Sequence, residues 1–133
     1  MADDSTSIPP RVRQFIADHV DSVMQLEVLL LVAAQPQRAW TAKDLAELLR
    51  IDPAWVDSQL RAMVAGGLVA EPADPPAAFR FEPRTAELSQ AVDELAKTYA
   101  DRRVTVIGLI FSKPIDKIRS FADAFRIRKD KTD

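Results

Sequence analysis

The chain has 133 residues, of which 47% are hydrophobic and 29% charged, so its size and composition fit one soluble globular domain with a core. Its net charge of −2 is unevenly spread, because residues 101–133 hold nine of the 18 basic residues but only five of the 20 acidic ones. The absence of cysteine excludes disulfides and thiolate metal sites, and no apolar run approaches the ~20 residues of a membrane helix.

Two helices are predicted in the N-terminal part of the chain. Pro9 and Pro10 suit the first turn of a helix, and apolar residues recur at helical spacing over Arg11–Val20. A second helix is predicted over Ser22–Ala34, with Asp21 as its N-cap. Its almost continuously apolar sequence indicates a central place in the core.

A third helix is predicted to begin at Trp40 and Thr41. Thr41 is a good N-cap, and Asp44 three residues later completes a variant of the capping box. Trp40 and Leu45 occupy the two positions of a hydrophobic staple. The residues predicted to face the core are Leu45, Leu48 and Leu49.

The next helix follows after only a short turn. Asp52 is its predicted N-cap and Pro53 its first residue. Its apolar stripe consists of Val56, Leu60, Met63 and Val64. Gly66 and Gly67 are predicted to end it in a left-handed turn.

Short strands are predicted at Leu68–Ala70 and Phe79–Phe81, where a brief apolar run and an alternating one flank a proline-rich loop. Thr85 then caps a helical segment that is predicted to reach Ser112, and Pro114 breaks it. A last amphipathic helix is predicted over residues 115–127.

The order of these elements over residues 22–84 resembles the winged helix-turn-helix core of MarR-like bacterial transcriptional regulators. The resemblance rests on the capped third helix, the Asp52-Pro53 start of the fourth, the apolar spacing of the fourth, and the Gly-Leu-Val entry into the hairpin. It implies a mainly α fold with a small β-hairpin (α+β) and long C-terminal helices. It also implies a cytoplasmic bacterial regulator that binds DNA as a dimer, with the fourth helix in the major groove.

The resemblance assigns DNA contacts to exposed residues of the third helix, the fourth helix and the hairpin. They are Lys43, Trp55, Ser58, Arg61, Arg80 and Arg84. Few residues of the fourth helix suit base edges or phosphates, and Asp57 would repel a phosphate. An alternative is therefore a winged helix that binds another regulatory protein through Trp55 and Asp57, without binding DNA.

The segment after residue 84 is interpreted as an assembly element. Val104, Gly108 and Ser112 recur every four residues and form a face of small side chains that lets a second helix approach closely. The residues predicted for a homodimer interface are Val104, Ile107, Gly108, Phe111 and Phe121. The alternative is that this segment folds back on its own domain.

Residue types that carry catalysis are sparse. His19 is the single histidine, and without cysteine the set of metal ligands is thin. Gly66 and Gly67 lack the Lys-Ser/Thr sequel of a phosphate loop. Asp93 and Glu94 are adjacent on a helix, so their side chains point in different directions. The sequence predicts no enzyme activity, no metal and no cofactor.

The predicted organisation has four parts. They are a disordered lead-in over residues 1–9, a winged-helix domain over 10–84, a C-terminal helical extension for dimerisation over 85–127, and a frayed charged tail over 128–133. No membrane association is predicted.

Overall fold

The computed structural model describes residues 8–71 and 77–112, which contain six helices and three short strands. The helices are α1 (Pro10–His19), α2 (Val23–Ala34), α3 (Ala42–Leu49), α4 (Pro53–Ala65), α5 (Ala86–Asp101) and α6 (Arg103–Phe111). The strands are β1 (Trp40–Thr41), β2 (Val69–Ala70) and β3 (Ala78–Phe81). The predicted fold class, mainly α with a small β element, is confirmed. The helix predicted over 115–127 and the charged tail lie outside the described residues.

The N-cap of α2 is Ser22, and the prediction of Asp21 was wrong by one residue. The Ser22 hydroxyl oxygen accepts a hydrogen bond from the Gln25 backbone N–H at 3.1 Å. The Asp21 backbone N–H donates instead to the Gln25 side-chain oxygen at 2.6 Å. Serine and aspartate are about equally good caps, so local preference does not decide between neighbours.

The predicted caps of α3 and α4 are confirmed. The Thr41 hydroxyl accepts from the Asp44 N–H at 3.0 Å, and the Asp44 carboxylate accepts from the Thr41 N–H at 3.4 Å, which completes the capping box. At the next helix, the Asp52 carboxylate accepts from the Trp55 N–H at 3.2 Å, and Pro53 is the first residue. These contacts fix the short turn between the two helices.

Gly67 reverses the chain at the end of α4. Its φ is +78°, a conformation that residues with a side chain rarely adopt, whereas Gly66 is still helical with φ −78°. A Cβ at position 67 would lie 3.2 Å from the Cβ of Arg84. The Arg84 N–H donates to the Gly67 carbonyl at 2.7 Å, so this glycine also closes the base of the hairpin.

Within the described residues, the strands form an antiparallel sheet in the order β1-β3-β2. The sequence predicts β2 and β3, the two strands of the hairpin, but it does not predict β1. Trp40 pairs with Phe79, and Thr41 pairs with Ala78. Trp40, predicted to precede the Thr41 N-cap as part of a hydrophobic staple, is therefore also a strand residue at the centre of the core.

The described hydrophobic core is continuous from the N-terminal helices to α6. α1 packs against α5 and α6, and α3 packs against α4. Ile8 is buried in this core, although it falls within the predicted lead-in. Leu45 is fully buried as predicted, but Leu48 is 58% exposed, so its predicted inward position was wrong. Positions 45 and 46 are buried and position 49 is half-buried, and with about 3.6 residues per turn a helix with this inner face points Leu48 towards solvent.

The predicted helix from Thr85 towards Ser112 is interrupted at Arg102. Thr85 caps α5 as predicted, with its hydroxyl accepting from the Leu88 N–H at 3.1 Å. Arg102 has φ −132° and ψ 55°, so α5 ends there and α6 begins at the following residue. Interactions with α2 flank the break: the Tyr99 hydroxyl donates to Glu27 at 2.7 Å, and Arg103 lies 3.4 Å from the same oxygen.

Tyr99 makes the stability of this junction depend on pH. Its burial, followed by its hydrogen bond to Glu27, raises the pKa of the Tyr99 phenol above its ordinary value. The unfolded chain therefore ionises this tyrosine at lower pH than the folded protein does. The stability that the neutral Tyr99 phenol contributes is fully present below the ordinary tyrosine pKa of about 10. It is lost as pH rises through the folded pKa.

Tyr99→Phe is expected to lower the free energy of unfolding by about 1–2 kcal/mol at neutral pH, because Glu27 loses a hydrogen bond. The variant should also lose the alkaline decrease in stability. Urea denaturation of both proteins at neutral and alkaline pH measures the two effects. The chain has one tyrosine, so ultraviolet absorbance reports this phenol alone. Titration at or below the ordinary tyrosine pKa in the folded protein would contradict the assignment.

Candidate nucleic-acid interface

α4 lies at the surface, with one face in the core and the opposite face exposed. Val56, Leu60 and Met63 are buried. The exposed positions of the helix are Pro53, Ala54, Ser58, Arg61, Ala62 and Ala65. Trp55 is half-buried and packs against the core, so only part of its ring surface is available to a partner. The described part of the chain leaves the N-terminal half of α4 open to contact.

The polar side chains of α4 make local hydrogen bonds. The Ser58 hydroxyl donates to the Trp55 carbonyl at 2.7 Å, so its proton is already committed. Its oxygen still has lone pairs with which to accept a hydrogen bond. Contact between Ser58 and an acceptor on a partner would require the hydroxyl to rotate away from the helix backbone.

Arg61 is the one basic residue in the α4 sequence, and its guanidinium contacts two carboxylates. Its Nε donates to Asp57 Oδ2 at 2.9 Å, and its Nη1 lies 3.2 Å from Glu71 Oε1. Hydrogen bonding and charge attraction from Asp57, and then attraction from Glu71, raise the pKa of Arg61 above its ordinary value. The guanidinium carbon also lies 5.7 Å from the centre of the Phe79 ring.

The other predicted DNA-contacting residues lie on neighbouring elements. Lys43 is exposed in the first turn of α3, and Arg80 is exposed on β3, opposite Ala70 of β2. Arg84 follows β3, and its side chain lies against Gly67. All three are exposed, so the structure leaves them accessible on the elements that flank α4. Asp74, which the sequence places at the hairpin tip, lies outside the described residues.

Glu71 is the charged contact that the sequence did not reveal. Asp57 and Arg61 stand four residues apart on one helix, a spacing that favours an ion pair and is visible in the sequence. Glu71 lies ten residues from Arg61, just beyond β2, and meets it only because the chain reverses at Gly67.

A second surface, on α6, exposes apolar side chains. Val104 is 83% exposed and Phe111 is 74% exposed, whereas Val106 and Ile110 on the opposite face are buried. Ile107 is half-buried, and a Cβ added to Gly108 would meet no described atom within 4 Å. Four of the residues predicted for the dimer interface thus lie on one short helix, while Phe121 lies outside the described residues.

A cavity of about 350 Å³ lies between α2, β3 and α5. Its lining is mostly aliphatic and includes Leu30, Phe81 and Val92, with polar groups from Ser89, Gln90 and Asp93. The volume is at the lower end of the range for small-molecule sites. The Asp93 carboxylate is already 3.3 Å from Lys97 Nζ on the same helix.

His19 packs against an aromatic side chain, with its ring centre 4.6 Å from that of Phe15.

Among residues 8–71 and 77–112, no group of three or more histidine, cysteine, aspartate or glutamate side chains is arranged to hold a metal ion. In the same ranges, no helix combines the length and apolar character needed to cross a membrane.

A helix-turn-helix of α3 and α4 next to the β2–β3 hairpin defines a winged helix. With flanking helices before and after the core, the arrangement is similar to the winged-helix fold seen in solved structures of MarR-family transcriptional regulators. No protein-family model matches the sequence, and a search of curated proteins gave no match. The fold assignment therefore rests on solved structures.

Three of the solved structures illustrate the likeness. MepR of Staphylococcus aureus, a transcription regulator of a multidrug efflux pump, has a TM-score of 0.52 and 14% identity, over 93% of this chain and 91% of that chain. A MepR mutant bound to an oligodeoxyribonucleotide has a TM-score of 0.53 and 14% identity, over the same shares of the two chains. A MarR-family regulator from Rhodococcus sp. has a TM-score of 0.52 and 18% identity, over 91% of this chain and 84% of that chain.

Proposed function

We propose that this protein is a winged-helix transcriptional regulator that binds duplex DNA as a homodimer, with the exposed face of α4 in the major groove. One observation carries the proposal: the N-terminal half of α4 is open to contact, beside the hairpin, in a fold shared with a MepR mutant bound to an oligodeoxyribonucleotide. Arg80 and Arg84 supply the phosphate contacts from the hairpin side, and Lys43 supplies one from α3. No catalytic role is proposed.

The α6 surface supports the homodimer part of the proposal. Val104, Gly108 and Phe111 expose an apolar face that a second copy of the helix covers in a two-fold dimer. The two copies of α4 then bind successive major-groove segments on one side of the duplex.

The test is binding to a nonspecific DNA duplex at about 50 mM salt, where phosphate contacts contribute most. Arg80→Ala is expected to weaken binding by roughly 3- to 10-fold and to reduce the salt slope by about 1 per protomer, because each protomer loses one phosphate contact. Arg61→Ala is expected to have a smaller effect, since Arg61 already contacts Asp57 and Glu71. Fluorescence anisotropy of a labelled duplex measures both.

The matched control is Lys97→Ala, which removes the same charge from the exposed surface of α5. This variant should bind the duplex nearly as tightly as the unmodified protein. Equal losses for Lys97→Ala and Arg80→Ala would mean that net charge alone determines the affinity. Absence of binding at about 50 mM salt would overturn the DNA proposal.

A second candidate function is binding of another regulatory protein through α4. The observation that favours it is the pairing of Arg61 with two carboxylates, which gives these three side chains a net charge of −1. A partner with a basic surface would then contact Asp57 and the accessible part of Trp55. This function predicts that the protein does not bind the duplex at low salt, so the same measurement separates the two candidates.

A further inference from the structure

The hydrogen-bond donors of Arg61 are partly used within the chain. A guanidinium carries five N–H groups: one on Nε and two on each terminal nitrogen. The Nε group donates to Asp57 Oδ2 at 2.9 Å. Nη1 lies 3.2 Å from Glu71 Oε1 and 3.3 Å from Oε2, so a proton on this nitrogen is shared between the two carboxylate oxygens.

The ability of Arg61 to bind DNA depends on which of its N–H groups these contacts occupy. Arginine binds phosphates and guanine with two parallel N–H groups on one edge of the guanidinium. One such edge consists of Nε and Nη2, and the other consists of Nη1 and Nη2. Asp57 occupies the Nε donor of the first edge, and Glu71 lies against Nη1, one of the two nitrogens of the second. The first edge is therefore incomplete for DNA unless Asp57 is displaced, and a phosphate at the second edge would lie next to the Glu71 carboxylate.

The three side chains are accessible to such an exchange. The Arg61 side chain is 52% exposed, and those of Asp57 and Glu71 are 39% and 31% exposed. Exposed ion pairs are individually weak and are screened by salt, so DNA is able to displace a carboxylate. A displaced carboxylate stays beside the phosphate and repels it, so the exchange reduces the affinity.

We propose that Asp57 and Glu71 act as internal competitors of DNA for Arg61, and thereby hold the DNA affinity of α4 low. The inference rests on the proposed DNA-binding function and concerns the control of that same surface. Asp57 and Glu71 need not touch DNA themselves. They set how many guanidinium donors reach a phosphate or a base edge.

Glu71→Gln and Asp57→Asn test the proposal, because each keeps the shape of the side chain and removes its charge. Each is expected to tighten binding to a nonspecific duplex by roughly 3- to 10-fold at about 50 mM salt, and to steepen the salt slope by about 1 per protomer. The control is Asp93→Asn, which removes an equal charge from an exposed α5 ion pair with Lys97. It should have little effect.

The second step repeats Glu71→Gln in an Arg61→Ala background. The increase in DNA affinity should vanish there, because the guanidinium donors for which Glu71 and DNA compete are absent. Circular dichroism confirms that each variant is folded. A gain that survives without Arg61, or one no larger than that of Asp93→Asn, overturns the inference as a general charge effect. Binding by the unmodified protein without any gain in the variants overturns the inference and leaves the proposed function standing. If neither the unmodified protein nor any variant binds the duplex, both the inference and the proposed DNA-binding function are overturned.

Discussion

Trp40→Ala is expected to lower the free energy of unfolding by about 3–5 kcal/mol, because it removes a large aromatic side chain from the centre of the core. Trp40 is only 2% exposed, pairs with Phe79 across the sheet, and is covered by the Arg38 guanidinium, whose carbon lies 3.6 Å from the ring centre. A loss of this size is a large fraction of the stability of a small domain. Urea denaturation followed by circular dichroism measures it.

The control is Trp55→Ala, which removes the other tryptophan of the chain. Trp55 is half-buried, so its replacement should cost about 1–2 kcal/mol. The loss expected for Trp40→Ala comes from packing alone: the Trp40 Nε1–H has no hydrogen-bond partner among the described residues, so the substitution leaves no acceptor unpaired. Equal losses for the two variants would contradict the placement of Trp40 in the core and of Trp55 at its edge.

In the proposed homodimer, Phe111→Asp is expected to weaken self-association by ~100-fold or more, because it places a charge within the apolar α6 interface. Phe111 is 74% exposed in the single chain, so the substitution should leave the folding of each protomer almost unchanged. Sedimentation equilibrium over a range of protein concentrations measures the dissociation constant, and circular dichroism checks the fold.

Leu48→Asp is the matched control, since Leu48 is an exposed apolar residue, 58% accessible, on α3 rather than α6. It introduces the same charge and should leave the dimer intact. A monomeric unmodified protein would contradict the homodimer proposal. Equal weakening by both substitutions would place the interface elsewhere or make it nonspecific.

Local signals in the sequence predicted much of this fold. The caps at Thr41, Asp52 and Thr85 are decided by hydrogen bonds that reach only three residues along the chain, and all three are confirmed. Strand β1 was missed because two residues carry no periodic pattern, and Trp40 pairs with a residue 39 positions away. The break at Arg102 was missed for a similar reason, since the flanking Tyr99 and Arg103 contact α2.

The candidate site also combines features that local sequence indicates with features that depend on tertiary packing. The exposure of α4 followed from its apolar stripe. The Asp57–Arg61 pair was not predicted, although its spacing of four residues on one helix was visible in the sequence. The contact between Arg61 and Glu71 depends on the chain reversal at Gly67, and the partial burial of Trp55 depends on how α4 sits on the core. Both features depend on how distant parts of the chain pack together, so the local sequence does not predict them.

Thr41 belongs to two structural elements at once: it pairs with Ala78 in the sheet, and its hydroxyl caps α3. A displacement of β3 therefore cannot occur without pulling on the first turn of α3. This shared residue mechanically couples the hairpin to the helix-turn-helix, so the two should tilt together as a rigid unit. Any ligand-driven change in spacing between two such units in a dimer would then have to arise in the helices outside them.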